Sequence, residues 1–278
     1  MEFKIEIAIV CALIRLDDDV FANQLIEEHY SNFLTDKDPS LRVDINIRPI
    51  ETPSLLESTQ VAIEHYVNGN ILFFKGFRGD IEGRVNLSSG EAEGVTIRVP
   101  FRFDALLRIL YSLWLVKSGG FLLHAAGVKD NDDAYVFSGV SGSGKTTVAR
   151  LSEDNKVIQS DELIAIRSIN GSYQVYGTPF MGEFARGGQN CTGDLRQIFL
   201  LKKDNRNFLA PLNQGQRLKE LFQCILFFGE NTNLLNTLFN LCKDIAEKIP
   251  FYQLHFLPDR SFWKCIKTME VIENDRSR

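Results

Sequence analysis

Apolar and polar positions alternate through much of the first hundred residues. Met1 to Val10 interleaves charged side chains with Phe3, Ile5, Ile7 and Ile9, a period of two that predicts a strand. Further strand-like runs lie at Ile71 to Lys75, around Gly83 to Leu87, and at Gly94 to Val99, with polar turns between them. Helical spacing here is confined to Asp19–Tyr30 and to a shorter piece near Glu57 to Tyr66. Pro100 interrupts regular continuation, and the pattern changes after it. The chain therefore divides into a β-rich N-terminal region, residues 1–100, and a second region, residues 101–278.

Beyond Asp104 the period lengthens. Leu106, Leu107, Ile109, Leu110, Leu113 and Leu115 recur at helical spacing up to the stop signal Gly119-Gly120, which predicts a buried helix to about Lys117. Phe121 to Val128 and Ala134 to Ser138 are strand-like around the polar Lys129 to Asp133, the signature of a hairpin. Helical composition returns at Thr147 to Leu151. A strand-like run, Lys156 to Asp161, then ends in a carboxylate, and Leu163 to Ile166 continues beyond it. A turn at Gly171-Ser172 precedes Gln174 to Tyr176, and Ile198 to Lys202 reads as another strand. Helices are expected near Gln216–Phe228 and Leu234–Ile249, a strand at Tyr252–Phe256, and a closing helix from Ser261 to about Val271.

Between the hairpin and the Thr147 helix, residues 139 to 147 read Gly-Val-Ser-Gly-Ser-Gly-Lys-Thr-Thr. Gly139, Gly144, Lys145 and Thr146 fill every fixed position of the phosphate-binding pattern G-x-x-x-x-G-K-[ST], with the strand before it and the helix after it that the pattern requires. In such a loop backbone N–H groups at a helix start face phosphate oxygens, the lysine adds charge, and the threonine hydroxyl reaches Mg²⁺. ATP and Mg²⁺ are the expected ligands, with Gly139, Ser141, Gly142, Ser143, Gly144, Lys145, Thr146 and Thr147 lining the nucleotide site. Asp161 follows closely enough to leave room for a helix of about two turns, roughly 12 Å at 1.5 Å per residue, and a short return strand. A carboxylate there can hold Mg²⁺ beside Thr146 or accept a proton from an attacking hydroxyl.

Composition narrows the partners. A chain of 278 residues, 44% of them hydrophobic, buries a substantial core, and its formal net charge of -5 with no Lys/Arg-rich block gives no reason to expect nucleic acid or an anionic membrane. No apolar stretch approaches the length of a membrane span, and the N-terminus lacks the uninterrupted apolar core of a signal peptide. Cys11, Cys191, Cys224, Cys242 and Cys265 show no C-x-x-C spacing, so neither zinc nor a disulfide framework is indicated, and a cytoplasmic location is expected.

Leu123-His124-Ala125-Ala126-Gly127-Val128, the hairpin, Ser138 to Thr147, and Ser160-Asp161-Glu162 together resemble the catalytic domain of HPr kinase/phosphorylase, and more closely its smaller HPr-kinase-like serine kinase relatives. The resemblance is strong over about residues 119 to 167. It implies an α/β fold, a P-loop kinase domain of the HPr kinase/phosphoenolpyruvate carboxykinase type, carrying out Mg²⁺-dependent transfer of the γ-phosphoryl group of ATP to a hydroxyl. It also implies that ATP, rather than GTP, is the donor, that His124 acts beside Asp161, and that the acceptor is a seryl or threonyl hydroxyl of a small protein or peptide. Relatives of this kind often form homo-oligomers. The family carries an Asp-Asp pair after the loop helix, whereas this sequence has Ser160 followed by Asp161 and Glu162. Strand alternation would point Glu162 away from the face that Asp161 uses.

A second cluster, Tyr176 to Gly188, is punctuated by glycine and proline and carries Glu183 and Arg186. Loops of this kind line sites. Glu183 is a second candidate metal ligand, and Arg186 a candidate for stabilising charge on the transferring group. His29, His65 and His255 lack any such context and read as structural or exposed. Three alternatives stay open from the residues: a nucleotide-binding regulatory protein with little transfer, a small-molecule alcohol or sugar kinase, and, last, a carboxykinase, whose basic and metal-binding ligands are not assembled in the sequence. The N-terminal region is a candidate for acceptor recognition.

Overall fold

Strands β1 (Glu2–Ile7) and β2 (Val10–Leu16) pair antiparallel, with Glu2 opposite Arg15 and Ile7 opposite Val10. The turn between them places Ala8 at φ 48° and Ile9 at φ 65°, a conformation that suits glycine and asparagine. This computed structural model describes residues 1–49, 62–181 and 188–276. The chain divides into two units, Met1–Leu122 with Leu226–Leu238, and Leu123–Ile225 with Phe239–Arg278. The first unit therefore runs past Pro100.

In the first unit β2 leads to α1 (Asp19–Leu25), whose N-cap Asp18 accepts from the Phe21 amide at 2.9 Å. Strand β3 (Leu41–Arg48) follows. It lies where the sequence analysis expects no element, although Leu41, Val43 and Ile45 are buried and alternate with exposed Arg42, Asp44 and Asn46. Strands β4 (Ile63–Asn68), β5 (Ile71–Gly76), β6 (Ile81–Asn86) and β7 (Glu91–Ile97) complete a seven-stranded sheet in the order β1-β2-β3-β7-β6-β5-β4, with β3 parallel to both neighbours. The helix expected near Glu57 to Tyr66 is corrected over its second half: Ile63 to Tyr66 belong to β4, where pairing with β5 overrides the local pattern. Its first half lies outside the described residues.

Helix α2 (Pro100–Lys117) packs on β7, β6 and β2. Pro100 does not end an element; it occupies the first helical turn, where its missing N–H costs nothing. Gly94 admits the helix, since a Cβ there would meet Leu106. Three buried polar side chains find partners: Tyr30 donates to Asp104, Tyr111 reaches the carbonyls of Ile5 and Val10 at 3.4 and 3.3 Å, and Arg102 meets Asp80 at 2.7 Å. The opposite face of the sheet holds a groove of about 900 Å³ where Tyr66 stacks on Phe73 and Arg84 pairs with Glu93.

The second unit is built on strands β8 (Gly120–Asp130), β9 (Asp133–Ser138), β10 (Val157–Ser160), β11 (Leu163–Ile169), β12 (Ser172–Tyr176), β13 (Thr192–Lys203), β14 (Phe208–Pro211), the two-residue β15 (Ile225–Leu226) and β16 (Phe251–Phe256). Its helices are α3 (Lys145–Ser152), α4 (Gln214–Cys224), α6 (Phe262–Arg276) and the part of α5 (Thr232–Lys248) from Phe239 onward. Helix α4 stops short of the expected Phe228 because the chain turns extended at Ile225. β9 and β16 both run parallel to β13, one on each side. The core here gathers Phe137, Phe199, Leu254, Phe256, Phe262 and Ile266, with Phe137 stacked on Phe199 at 5.1 Å. No described helix is long and apolar enough to cross a membrane.

Candidate active site

The β8–β9 hairpin forms as the pattern predicts, with Asp130 opposite Asp133 and Ala125 opposite Ser138. Its register carries two consequences. Ser138, the last residue of β9, donates its hydroxyl to the His124 carbonyl at 3.1 Å, so His124 stands beside the point where the chain enters the glycine-rich loop. On the other side of β8, Ser160 of β10 lies opposite Gly127, which returns the chain after β10 to the same end of the sheet.

Within the loop Gly139, Gly142 and Gly144 hold φ of 150°, 74° and 114°, values that L side chains rarely adopt. The Ser143 amide donates to Val140 at 3.1 Å, closing a turn. Lys145 is buried and bends back, its Nζ donating to the carbonyls of Gly139 at 3.0 Å and Val140 at 3.4 Å. Helix α3 starts at Lys145 with Gly144 as its N-cap, a residue with no side chain to cap the N–H groups of the first turn. Ser143 Oγ is buried without a partner among the described residues. Phe256, at the end of β16, floors the loop: a Cβ on Gly144 would lie 3.0 Å from its ring.

Thr146 faces inward from the first turn of α3 and donates to Asp161 Oδ2 at 3.2 Å; Asp161 is only 4% exposed. The structure thus brings Thr146 and Asp161 together, as the spacing suggests. Ser160 serves the backbone. Its hydroxyl accepts from the amides of Glu162 at 3.2 Å and Leu163 at 3.3 Å, a turn that ends β10. The two following carboxylates take different partners because of that turn rather than because of strand alternation. Glu162 Oε2 lies 3.4 Å from His124 Nε2, both side chains being partly exposed. Sequence reasoning sets His124 beside Asp161 rather than Glu162; the signal that could have found Glu162 is the serine turn.

Gln159, fully buried, donates to the carbonyls of Val175 at 2.9 Å and Cys191 at 3.3 Å. It marks the roots of the second candidate loop: a Cβ at either Gly177 or Gly188 would overlap the Gln159 carbonyl oxygen. The glycines are required for that close approach. Thr178 is also tied down, its hydroxyl donating to the Leu163 carbonyl. Glu183 and Arg186 lie outside the described residues. Among the described residues no three His, Cys, Asp or Glu side chains cluster as a metal cage. His255 has other partners, its Nδ1 2.7 Å from Asp204 Oδ2 and its ring stacked on Phe208.

A family model described as SynChlorMet cassette protein ScmC matches residues 99–272, a span that contains the whole loop cluster. No curated protein matches the chain. Among solved structures the Hpr(Ser) kinase/phosphatase from Coxiella burnetii is similar over 46% of this chain and 91% of its own, with 11% identity and a TM-score of 0.24, too low for the two folds to be equated.

Proposed function

The chain belongs to the SynChlorMet cassette protein ScmC family, and we propose that it is a kinase that moves the γ-phosphoryl group of ATP to a hydroxyl, most simply a serine or threonine of a peptide or protein. The reading includes a P-loop kinase domain of the HPr kinase type for the second region. One observation carries it. A threonine hydroxyl and a buried carboxylate meet at 3.2 Å at the foot of a loop whose glycines, lysine and uncapped helix start suit a triphosphate.

The residues present fit the ligands. The buried Ser143 hydroxyl lacks a partner among the described residues, and a Cβ added to Gly142 would meet no heavy atom within 4 Å, which leaves that side of the loop open. Thr146 and Asp161 are hard oxygen donors of the kind Mg²⁺ takes. When bound, Mg²⁺ supplies charge neutralisation at the β- and γ-phosphates. Lys145 would exchange its two carbonyl partners for phosphate oxygens, and the first-turn amides of α3 would hold the β-phosphate in place. Positioning and electrostatics, rather than covalent chemistry, are what such a site contributes.

The test is transfer from γ-labelled ATP with Mg²⁺ in an extract of the source cells, with protein, peptide and small-molecule products resolved. Lys145→Ala and Asp161→Asn should each lower labelling by roughly 100-fold or more, equivalent to about 3 kcal/mol of transition-state stabilisation. Equal labelling by Lys145→Ala would sink the assignment. The use of Ser160 as a turn residue favours one rival, a nucleotide-responsive protein without transfer, because it leaves Thr146 with Asp161 alone of the expected acid pair. For that rival, Asp161→Asn would weaken nucleotide binding and no labelled product would form with the wild type.

A further inference from the structure

We propose that His124 takes the proton of the acceptor hydroxyl and that Glu162 is the positioning residue that prepares it, an inference that rests on the kinase reading. Asp161 is poorly placed for that work: it is almost fully buried and already accepts from Thr146. His124 is open to an incoming group, with 40% of its side chain exposed, and its backbone carbonyl accepts from Ser138 at the mouth of the loop. Glu162 reaches it because the Ser160 turn sends the chain back past β8.

The contact fixes which nitrogen does the chemistry. Glu162 Oε2 faces Nε2, so the proton of the neutral ring belongs on Nε2 and the lone pair on Nδ1. The separation of 3.4 Å is that of a loose pair, as is common before substrate is bound. In the step itself the acceptor O–H gives its proton to Nδ1 and its oxygen forms the new bond to the γ-phosphorus. The bond from that phosphorus to the β,γ-bridging oxygen breaks, and its electron pair leaves with the nucleoside diphosphate. The imidazolium so formed is balanced by the Glu162 carboxylate. Asp161 then keeps to the Thr146 side of the site, which accounts for a single aspartate sufficing where the resembled family has two.

Two measurements test this on the full chain. The first is the ¹H–¹⁵N imidazole spectrum of the ligand-free protein at pH 8, with His124 assigned by difference from His124→Ala. The wild type should show the Nε2–H tautomer, Glu162→Ala should lose it, and Glu162→Asp should recover it in part. The second is single-turnover transfer from γ-labelled Mg-ATP to the acceptor fraction of a source-cell extract. His124→Ala should lower the rate about 100-fold or more and Glu162→Ala about 10-fold, with the KM for ATP within about two-fold of wild type. The double variant should be no slower than His124→Ala. An Nδ1–H tautomer in the wild type, an additive double variant, or full rates in either single variant would overturn the assignment while leaving the kinase reading intact. A wild type that binds nucleotide but transfers nothing overturns both.

Discussion

Gly142 and Gly144 separate the cost of a left-handed backbone from the cost of a collision. At Gly142, φ is 74° and a methyl group would meet no atom within 4 Å, so Gly142→Ala carries only the backbone penalty, roughly 1 kcal/mol. At Gly144, φ is 114°, further from any basin an alanine favours, and the methyl would stand 3.0 and 3.2 Å from two carbons of the Phe256 ring. That ring is 2% exposed and packed edge-on against Phe262 at 5.4 Å, so it has little room to withdraw. A backbone cost of about 2 kcal/mol and an overpacking cost of about 1 kcal/mol put Gly144→Ala about 2 kcal/mol above Gly142→Ala. Part of this falls on folding, read from the urea midpoint, and part on Mg-ATP binding, read by titration calorimetry, because the loop relieves strain by leaving the shape that binds phosphate. If all of it falls on binding, the difference is about thirty-fold in Kd. Indistinguishable behaviour of the two variants in both assays would refute the placement of Phe256 beneath the loop.

Two further predictions concern stability. The turn between β1 and β2 holds the exposed Ile9 at φ 65°, so Ile9→Gly should raise stability by about 1 kcal/mol; an unchanged or lower urea midpoint would show that no strain resides there. At the far end of the β8–β9 hairpin, burial alone would raise the Asp130 carboxyl, but Lys156 at 2.8 Å and Lys267 at 3.3 Å hold it below its ordinary value. The folded state therefore binds fewer protons than the unfolded chain, and the contribution is present above about pH 4 and lost as pH falls through the folded value. Asp130→Asn should cost about 1–3 kcal/mol at pH 7, with the gap to wild type closing below pH 4; a gap constant across that range contradicts the linkage.

Residues 104–176 were legible because local pattern and tertiary need coincide there. The α2 periodicity, the hairpin, the glycine-rich loop and the strand ending at Asp161 each follow from spacings of a few residues. Pairing between distant segments left weaker marks. β3 buries only three apolar residues, and β4 lies at a sheet edge where the alternation is shallow, running between partly and fully exposed with no residue buried. In the site, the Thr146–Asp161 contact was readable from helix length, whereas the His124–Glu162 contact was not. It depends on a serine hydroxyl turning the chain just after Gln159 has locked β10 against Val175 and Cys191, contacts that only the folded sheet brings together.

His124, Ser138, Lys145, Thr146, Asp161 and Glu162 all fall within residues 124–162; the contacts of Ser138, Lys145 and Thr146 close short loops of chain, whereas His124 to Glu162 closes the whole segment. Loop-closure entropy grows with chain separation, and local contacts are the ones that folding reaches first. The loop contacts of Ser138, Lys145 and Thr146 are thus suited to form early. β9, however, gains its second neighbour only when β13 arrives from beyond residue 191 and lies parallel beside it. A slow step in β13 pairing would therefore leave Thr146 and Asp161 already in contact while His124 and Glu162, which wait on the hold of Gln159 on Cys191, are still apart.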